Sequence, residues 1–228
     1  MGAVRIIAGK WRSRRLAVPP SSSTRPMPDR IRESVFDILA SRFGFPGTLP
    51  PIAVADLFAG SGGMGFEALS RGAATCDFVE RDKTALAVLR RNAAALAADA
   101  SCRILRADAW TLPLSRPVPA SPFGLVFVDP PYDDARDPSP TGRVGRLLSD
   151  IVRARWTDAA SILVIHHPKE ITFDLSPPFP WRIDDHRIYG SAGITFVVSL
   201  APAADDRDGR VRGADLNLSA ADNGIKTS

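Results

Sequence analysis

Four short, mostly apolar runs alternate with segments of helical periodicity, and this alternation restricts the fold more than any other feature. The runs occupy residues 52–57, 75–79, 102–105 and 125–128. Such alternation is typical of parallel βαβ units, so the sequence predicts an α/β fold with a Rossmann-like sheet and helices on both faces. The runs end at or close to four acids, Asp56, Glu80, Asp108 and Asp129. Because the carboxyl ends of parallel strands meet at one edge, we expect these carboxylates to border one cleft.

Other segments complete the predicted fold. Strands over residues 4–9 and 15–18 predict a small basic β-hairpin. A helix over residues 29–43 has Ile31, Val35, Ile38 and Leu39 on its apolar face, and Arg30 and Arg32 are expected off that face. We also predict helices from the glycine-rich turn to residue 71, over 81–98 and over 143–156, a strand over 161–165, and an antiparallel pair over 181–188 and 194–200.

Three regions are predicted along the chain. Residues 1–20 form the hairpin extension, and residues 21–200 form one α/β domain of ordinary size. Residues 201–228 contain almost no large apolar side chain, so we expect a disordered tail. Without a long apolar run or a signal-peptide pattern, the protein is expected in the cytoplasm.

The quartet Asp129-Pro130-Pro131-Tyr132 follows the fourth run. Two successive prolines fix φ and remove backbone donors, and Asp129 adds a carboxylate acceptor. A patch of acceptors without donors suits an exocyclic amine, because it engages both N–H groups and draws the nitrogen lone pair out of conjugation. Tyr132 is available to stack on a base, a contact of about 1–3 kcal/mol. Considered alone, the quartet also fits a proline-stiffened turn.

A glycine-rich turn, Gly60-x-Gly62-x-x-Gly65, follows the first run. It satisfies the dinucleotide fingerprint, with Glu80 as the acid further on, so an NAD-dependent dehydrogenase is a rival interpretation. Asp56 argues against it, because a carboxylate before the turn repels a pyrophosphate. The same carboxylate attracts the ammonium group of a methionine moiety.

Positive charge is concentrated at the N-terminus. Residues 1–32 hold eight basic side chains and one acid, whereas the rest of the chain holds 21 basic and 24 acidic residues. A basic segment of this kind is typical of contact with a phosphate backbone, although a solvated arm without a partner fits equally well. Two cysteines and three histidines predict neither a disulfide framework nor a metal site.

Several motifs together resemble a known family. Residues 56–62, with the sequence D-L-F-A-G-S-G, resemble motif I of the class I methyltransferases, and D-P-P-Y resembles motif IV of the amino-methyltransferases. From residue 4 to about 200 the chain resembles the RsmD-type bacterial methyltransferases, which act on a guanine N2 amine in 16S ribosomal RNA. The remaining segments of this likeness are residues 5–9, 24–26, 29–33, 67–73 and 189–190.

The resemblance implies S-adenosylmethionine as cofactor and a role for each motif residue. Asp56 is implied to bind the methionine ammonium, Glu80 the ribose hydroxyls and Asp108 the adenine amino group, with Arg81 along the adenine. Phe58, Ala59, Gly60, Ser61, Gly62 and Ala109 complete the implied cofactor site. The implied catalytic residues are Asp129, Pro130, Pro131 and Tyr132.

The implied substrate is guanine 966 of 16S RNA, in the small ribosomal subunit or an assembly intermediate of it. The basic hairpin is the implied RNA-docking element. The expected RNA-contacting residues are Arg5, Lys10, Arg12, Arg14, Arg15, Arg25 and Arg30. We expect a monomer without a metal.

One departure and two further alternatives stay open. His166-His167 occupies the end of the fifth strand, where the resemblance leads us to expect an acid. We interpret the pair as structural, or at most as lining the substrate cleft. An adenine-N6 DNA methyltransferase uses the same quartet, and a non-catalytic RNA-binding protein retains the same fold.

Overall fold

The structure is a computed structural model that describes residues 4–20, 27–115, 121–175 and 179–200. Arg25 and the predicted disordered tail therefore lie outside the described residues. Among the described helices, none combines the length and the apolar character needed to cross a membrane.

A seven-stranded sheet forms the centre of the fold, in the order β5-β4-β3-β6-β7-β9-β8. Strands β3 to β7 run parallel, and β9 is antiparallel to both β7 and β8. The bounds are β3 Ala53–Leu57, β4 Thr75–Glu80, β5 Cys102–Arg106, β6 Leu125–Val128, β7 Ile162–Pro168, β8 Trp181–Tyr189 and β9 Ala192–Ser199. The predicted Rossmann-like sheet is confirmed, with an antiparallel pair closing one edge.

Helices cover both faces, and successive strand residues alternate between the two cores. Leu125 and Phe127 of β6 join the core under the N-terminal hairpin and helices α1 to α3, while Val126 and Val128 join the core under α5. The helices are α1 Asp29–Arg42, α2 Gly63–Arg71, α3 Lys83–Ala95, α4 Leu112–Ser115 and α5 Arg143–Arg153. Burial on both faces explains why the central strand β6 is continuously apolar.

Two predicted helices are too long. Helix α3 begins only after Asp82, whose carboxylate accepts a hydrogen bond from the Ala85 N–H at 2.8 Å and so caps the helix. It ends before Ala97, which has a φ of 52°. Helix α5 ends two residues before Arg155, which has a φ of 55°. A non-glycine residue in the left-handed region interrupts the α-helical backbone at both places.

The N-terminal hairpin has shorter strands than predicted. Its strands are β1 Val4–Arg5 and β2 Arg15–Leu16, and a short 3₁₀ turn covers Gly9–Trp11. The ladder is short because the N–H groups of Ile7 and Ala8 donate instead to the Glu67 carboxylate of α2, at 2.7 and 3.0 Å.

Further polar contacts attach the hairpin to two helices. The Trp11 N–H donates to the Ser70 hydroxyl at 3.0 Å, and that hydroxyl donates to the Ala8 carbonyl. On the other strand, the Asn92 side chain of α3 both donates to and accepts from the Ala17 backbone. The hairpin is thus fixed along α2 and α3.

Arg32 is buried, with 1% of its surface exposed, so its predicted position off the apolar face is wrong. Its guanidinium donates to the carbonyls of Met27 and Arg5 and to the Asp29 carboxylate. Glu67 lies 3.9 Å away. The buried charge is tolerated because these acceptors bind both terminal nitrogens of the guanidinium, while Nε has only the nearby Glu67 charge, and the contacts join the hairpin to α1 and α2.

Replacing Glu67 by Gln tests this anchor. The substitution leaves the Arg71 guanidinium, which now donates to Glu67 at 2.8 Å, buried beside a neutral amide. We expect a loss of about 3–5 kcal/mol in the free energy of unfolding, measured by urea denaturation. The exposed Glu33→Gln on α1 is the control and should change stability by less than about 0.5 kcal/mol. A loss below about 1 kcal/mol for Glu67→Gln would contradict the anchoring role.

Candidate active site

The candidate site lies where the chain changes direction in the sheet, between β3 and β6. At this point the connections that leave two neighbouring parallel strands run in opposite directions along the sheet, which opens a cleft at the carboxyl ends of the strands. Its volume is about 370 Å³. Among the predicted residues its lining includes Asp56, Phe58, Ala59, Gly60, Ser61, Glu80, Arg81, Ala109, Asp129 and Pro131. Gly62, Asp108, Pro130 and Tyr132 adjoin these residues without belonging to the lining.

The glycine-rich turn holds its shape through positive φ angles. Gly60 and Gly62 have φ values of 54° and 85°. A Cβ on Gly62 would lie 2.5 Å from the Phe66 ring and 2.6 Å from Leu89, so this position requires glycine. At Gly60 a Cβ would meet nothing within 4 Å, which leaves the turn open towards the cleft. Asn92 donates to the Ser61 carbonyl at 2.9 Å and links the turn to α3.

Asp56 is buried at the base of the cleft, with 2% of its surface exposed. Its Oδ2 accepts a hydrogen bond from the Gly65 N–H at 2.9 Å, in the first turn of α2. Burial raises the pKa of Asp56 well above its usual value, and the nearby carboxylates of Asp129 and Glu80 raise it further, against the effect of the Gly65 bond. The cleft therefore favours a cation at this point.

Glu80 holds the turn from the opposite side. Its Oε2 accepts from the Gly60 N–H at 2.9 Å, and its Oε1 accepts from the N–H groups of Arg81 and Asp82 at 2.7 and 2.8 Å. A carboxylate has about four acceptor positions, so capacity remains for a ligand hydroxyl.

Asp108 and Arg81 form the outer rim of the cleft. Arg81 donates to the Asp108 Oδ2 at 3.2 Å, and the backbone N–H of Trp110 donates to Oδ1 at 3.1 Å. The Trp110 ring lies 4.7 Å from the Phe58 ring, between centroids. Arg81 is well exposed and paired with Asp108, so this structure places it along the rim.

The D-P-P-Y quartet follows β6, as predicted, and is held by strand β7. Asp129 Oδ1 lies 2.7 Å from His166 Nδ1, and His166 Nε2 lies 3.0 Å from the Tyr132 hydroxyl. Pro130 is buried. The Pro131 carbonyl accepts from the Asp134 N–H at 2.9 Å, at the start of a 3₁₀ turn over Tyr132–Ala135.

The two adjacent histidines have different environments, because alternate residues of a strand point to opposite faces. His166 contacts the quartet. Burial opposes its charge, but the Asp129 carboxylate outweighs this effect and raises the pKa of His166. His167 is fully buried against Phe173, with Nδ1 on the Pro168 carbonyl and Nε2 on the Thr195 hydroxyl, both at 2.8 Å. Burial lowers the pKa of His167 to about 4.

The predicted RNA-contacting residues are distributed along the hairpin and α1. Arg5 pairs with Asp29 at 2.8 Å, and Arg14 donates to the Ala95 carbonyl at 2.6 Å, at the C-terminal end of α3. Lys10 lies over the Trp11 ring at 4.3 Å. Arg12, Arg15 and Arg30 are exposed, and no ion pair is found for any of them in the described part of the chain. Arg14 differs from these three, because its hydrogen bond to Ala95 gives it a structural role.

The turn of the hairpin lies beside the cleft, further along α2. Val4 is next to Gly63, the first residue of α2, whereas Trp11 binds Ser70 near the other end of that helix. With a rise of 1.5 Å per residue, these contacts are separated by about 10 Å. The predicted RNA-binding residues Lys10 and Arg12 thus belong to a surface beside the cleft.

Sequence reasoning missed several residues at the site. Val4, Pro19, Met27 and Arg32 contribute to the cleft, because the docked hairpin and the start of α1 close one side of it. His166 was noticed only as a departure. Within the described ranges, no group of three or more His, Cys, Asp or Glu side chains is placed to hold a metal ion. Cys76 and Cys102 are free thiols on neighbouring strands.

The strand order, the glycine-rich turn after β3 and the quartet after β6 define a Rossmann-like methyltransferase fold. The chain belongs to the family described as Conserved hypothetical protein 95, whose model matches residues 4–198 and which contains the RsmD-type methyltransferases.

Individual relatives agree with this assignment. The chain is 39% identical over 131 residues to Ribosomal RNA small subunit methyltransferase D of Escherichia coli K12, a match that covers 58% of this chain but only 61% of that protein. A hypothetical protein of Thermus thermophilus has a similar structure, with a TM-score of 0.68 and 27% identity over 86% of this chain and 99% of the other. The rRNA methyltransferase aviRa of Streptomyces viridochromogenes shares the fold, with a TM-score of 0.59 and 18% identity over 78% and 87% of the two chains.

The neutral, buried His167 predicts an acid-sensitive contribution to stability. Its folded pKa of about 4 lies below the usual 6.5, so the unfolded chain binds the extra proton first as the pH falls. The stabilisation that neutral His167 gives to the folded state is fully present above pH 6.5 and is lost as the pH falls from about 6.5 to 4. By linkage, the stability advantage of the wild type over His167→Gln should narrow by about 2 kcal/mol between pH 7 and pH 5.

Urea denaturation of both proteins at each pH measures this difference. Although burial opposes its charge, Asp129 raises the pKa of His166, so the contribution of His166 to stability changes above pH 6.5 and with the opposite sign. Both proteins retain His166, so the comparison largely cancels this contribution. A pH-independent gap would refute the neutral state of His167.

Proposed function

We propose that this protein is an S-adenosylmethionine-dependent methyltransferase that acts on the N2 amine of a guanine in 16S ribosomal RNA, with guanine 966 as the expected target. The observation that carries this proposal is that two groups of hydrogen-bond acceptors, one suited to the cofactor and one to a substrate amine, border the same cleft. Asp56 and Glu80 lie on the β3–β4 side, and Asp129 lies across from them after β6. The name of the Escherichia coli relative supports the same substrate class.

The residues of the cleft fit this cofactor. Its ammonium and sulfonium groups are cationic, and Asp56 and Glu80 supply negative potential beside them. Burial, and after it the neighbouring carboxylates, raise the pKa of Asp56, so a cation there is favoured. Its ribose hydroxyls and adenine amine are donors, and Glu80 and Asp108 are acceptors at strand ends. A pyrophosphate would meet the same acids unfavourably, which disfavours the dehydrogenase alternative.

The quartet would hold the substrate amine. When bound, S-adenosylmethionine would supply a methyl group attached to a positively charged sulfur. The sulfur keeps the electron pair of the C–S bond when the methyl group is transferred. Asp129 and the Pro130 carbonyl accept from the two N–H groups and keep the nitrogen lone pair directed at that methyl. Tyr132 presents its ring to the base. The nitrogen forms the new N–C bond and then releases one proton to water.

The hairpin and α1 would bind the RNA backbone. Arg12, Arg15 and Arg30 are exposed, and the buried Glu67 and Asn92 contacts fix the hairpin against the helices that carry the cleft. A rigid basic surface beside a reactive cleft positions a strand without reading its sequence.

A methyl-transfer assay tests the whole proposal. Purified protein and labelled S-adenosylmethionine are incubated separately with small ribosomal subunits lacking the modification, naked 16S RNA and duplex DNA, and the products are digested and identified by mass. N2-methylguanosine from a ribosomal substrate is expected. N6-methyladenosine from DNA would replace the proposal with the adenine alternative, and no transfer despite cofactor binding would favour the non-catalytic one.

Asp129→Ala should separate chemistry from cofactor binding. Because the variant loses the positioned acceptor for the amine, we expect kcat to fall by at least about 100-fold. The Kd for S-adenosylmethionine, from calorimetry, should stay within about threefold, since the cofactor acceptors remain.

Asp133→Ala is the matched control. Asp133 is one residue beyond the quartet, and its carboxylate pairs with Arg136 on the surface. This variant should keep wild-type kcat. A loss of cofactor binding in Asp129→Ala with normal turnover per bound cofactor would contradict the assignment.

Charge reversal on the hairpin tests the RNA surface. In Arg12→Glu/Arg15→Glu, two phosphate contacts are lost while the structural Arg14 is kept. The slope of log K against log[salt] for RNA binding should become shallower by about 1.4–1.8. The control Arg153→Glu/Arg155→Glu changes the net charge equally at the end of α5, on the opposite face of the sheet. Equal slopes for the two double variants would refute the docking role.

A further inference from the structure

We propose that His166 is a positioning residue of the methyl-transfer site, where it orients the Asp129 carboxylate towards the substrate amine and restrains the Tyr132 hydroxyl. This inference rests on the proposed function and concerns a residue that lies outside the D-P-P-Y quartet. It starts from the two contacts of the imidazole, at 2.7 Å to Asp129 Oδ1 and 3.0 Å to the Tyr132 oxygen.

The chemistry of the partners determines the tautomer. An ionised carboxylate only accepts, so Nδ1 of His166 carries the hydrogen and donates to Asp129. In the neutral ring Nε2 is then an acceptor, and the Tyr132 O–H donates to it. The three side chains form one directed chain, from the phenol through the imidazole to the carboxylate.

The ring is held firmly enough to orient its partners. His166 is 5% exposed within β7, and Ile194 of β9 pairs with it in the ladder. Asp129 is partly exposed and follows β6 at the start of an irregular segment, so its rotamer is free unless another group restrains it. With Oδ1 bound to Nδ1–H, Oδ2 remains to accept from the amine. A carboxylate restrained in this way costs less entropy to align during reaction.

Protonation of His166 would weaken this arrangement. The imidazolium has a second N–H, which must donate to the Tyr132 oxygen, so the phenol hydrogen turns away. The positive charge beside Asp129 also reduces its strength as an acceptor. The charged and titratable groups around the ring are Asp129 after β6, Tyr132 in the 3₁₀ turn, His167 on the same strand, and Glu170, which acts on Tyr132.

Two substitutions separate the contacts of the ring. In His166→Asn the side-chain amide nitrogen lies where Nδ1 was and can still donate a hydrogen bond to Asp129. In His166→Gln the amide nitrogen lies where Nε2 was, so the hydrogen bond to Asp129 is lost. We expect kcat of His166→Asn within about fivefold of wild type at pH 8, and that of His166→Gln at least 10-fold lower. The KM for S-adenosylmethionine should stay unchanged in both. His186→Asn, on β8 and bonded to Thr195, is the control and should keep wild-type kcat.

The pH profile gives a second, independent readout. The wild-type kcat should fall below an inflection above pH 6.5, because Asp129 raises the pKa of His166. In His166→Asn, which has no titrating ring, this acid limb should disappear. Equal losses of kcat in the Asn and Gln variants, or an acid limb retained in His166→Asn, would overturn the positioning role.

The test remains decisive if guanine is not the substrate. Rates are compared on whichever base amine the wild type methylates, so failure of the proposed substrate leaves the comparison intact. For a protein that methylates none of the three substrates, ¹⁵N NMR of the histidines replaces it. An Nδ1–H tautomer for His166, with a pKa that falls in Asp129→Ala, supports the inference, and the other tautomer or an unchanged pKa overturns it.

Discussion

The parallel pairing of β3 with β6 is the constraint on which the rest of the site depends. It sets Asp56 opposite Phe127 and Leu57 opposite Val128, so the residues that follow both strands emerge side by side at the carboxyl edge of the sheet. The glycine-rich turn and the quartet therefore face one another across a cleft. The same pairing brings Asp56 and Asp129 close enough for their charges to interact, and a cationic ligand relieves that repulsion.

The buried carboxylate of Glu67 extends this arrangement to the N-terminal surface. Two hairpin N–H groups donate to it, and it pairs with Arg71 one helical turn further along α2. Because α2 begins at the glycine-rich turn, the hairpin is held by the helix that shapes the proposed cofactor site. A basic segment that composition alone describes as a possible solvated arm is thus a fixed surface whose position relative to the cleft is set by buried hydrogen bonds.

His166 and His167 show how strand geometry separates two roles. They are neighbours in sequence, but β7 directs them to opposite faces of the sheet. At His166 the Asp129 carboxylate outweighs burial and favours the charged form, whereas burial favours the neutral form of His167, which packs on Phe173 and bonds to the Thr195 hydroxyl. His166 contacts the quartet, and His167 packs between β7 and β9. The sequence predicts that the pair is structural or at most lines the substrate cleft; a structural role fits His167, whereas His166 bridges two residues of the quartet.

The sequence by itself determined the strand pattern, the glycine-rich turn and the acids at the strand ends, because periodicity and turn chemistry are local properties. It also contained the Asp82 N-cap, which places the start of α3 two residues later than predicted. Only the tertiary structure decided the burial of Arg32, the anchoring by Glu67 and the contact of His166 with Asp129. These contacts join residues 27, 60 and 37 positions apart, respectively. Their partners are chosen by how sheets and helices pack, and no local pattern encodes which polar groups become neighbours once water is excluded.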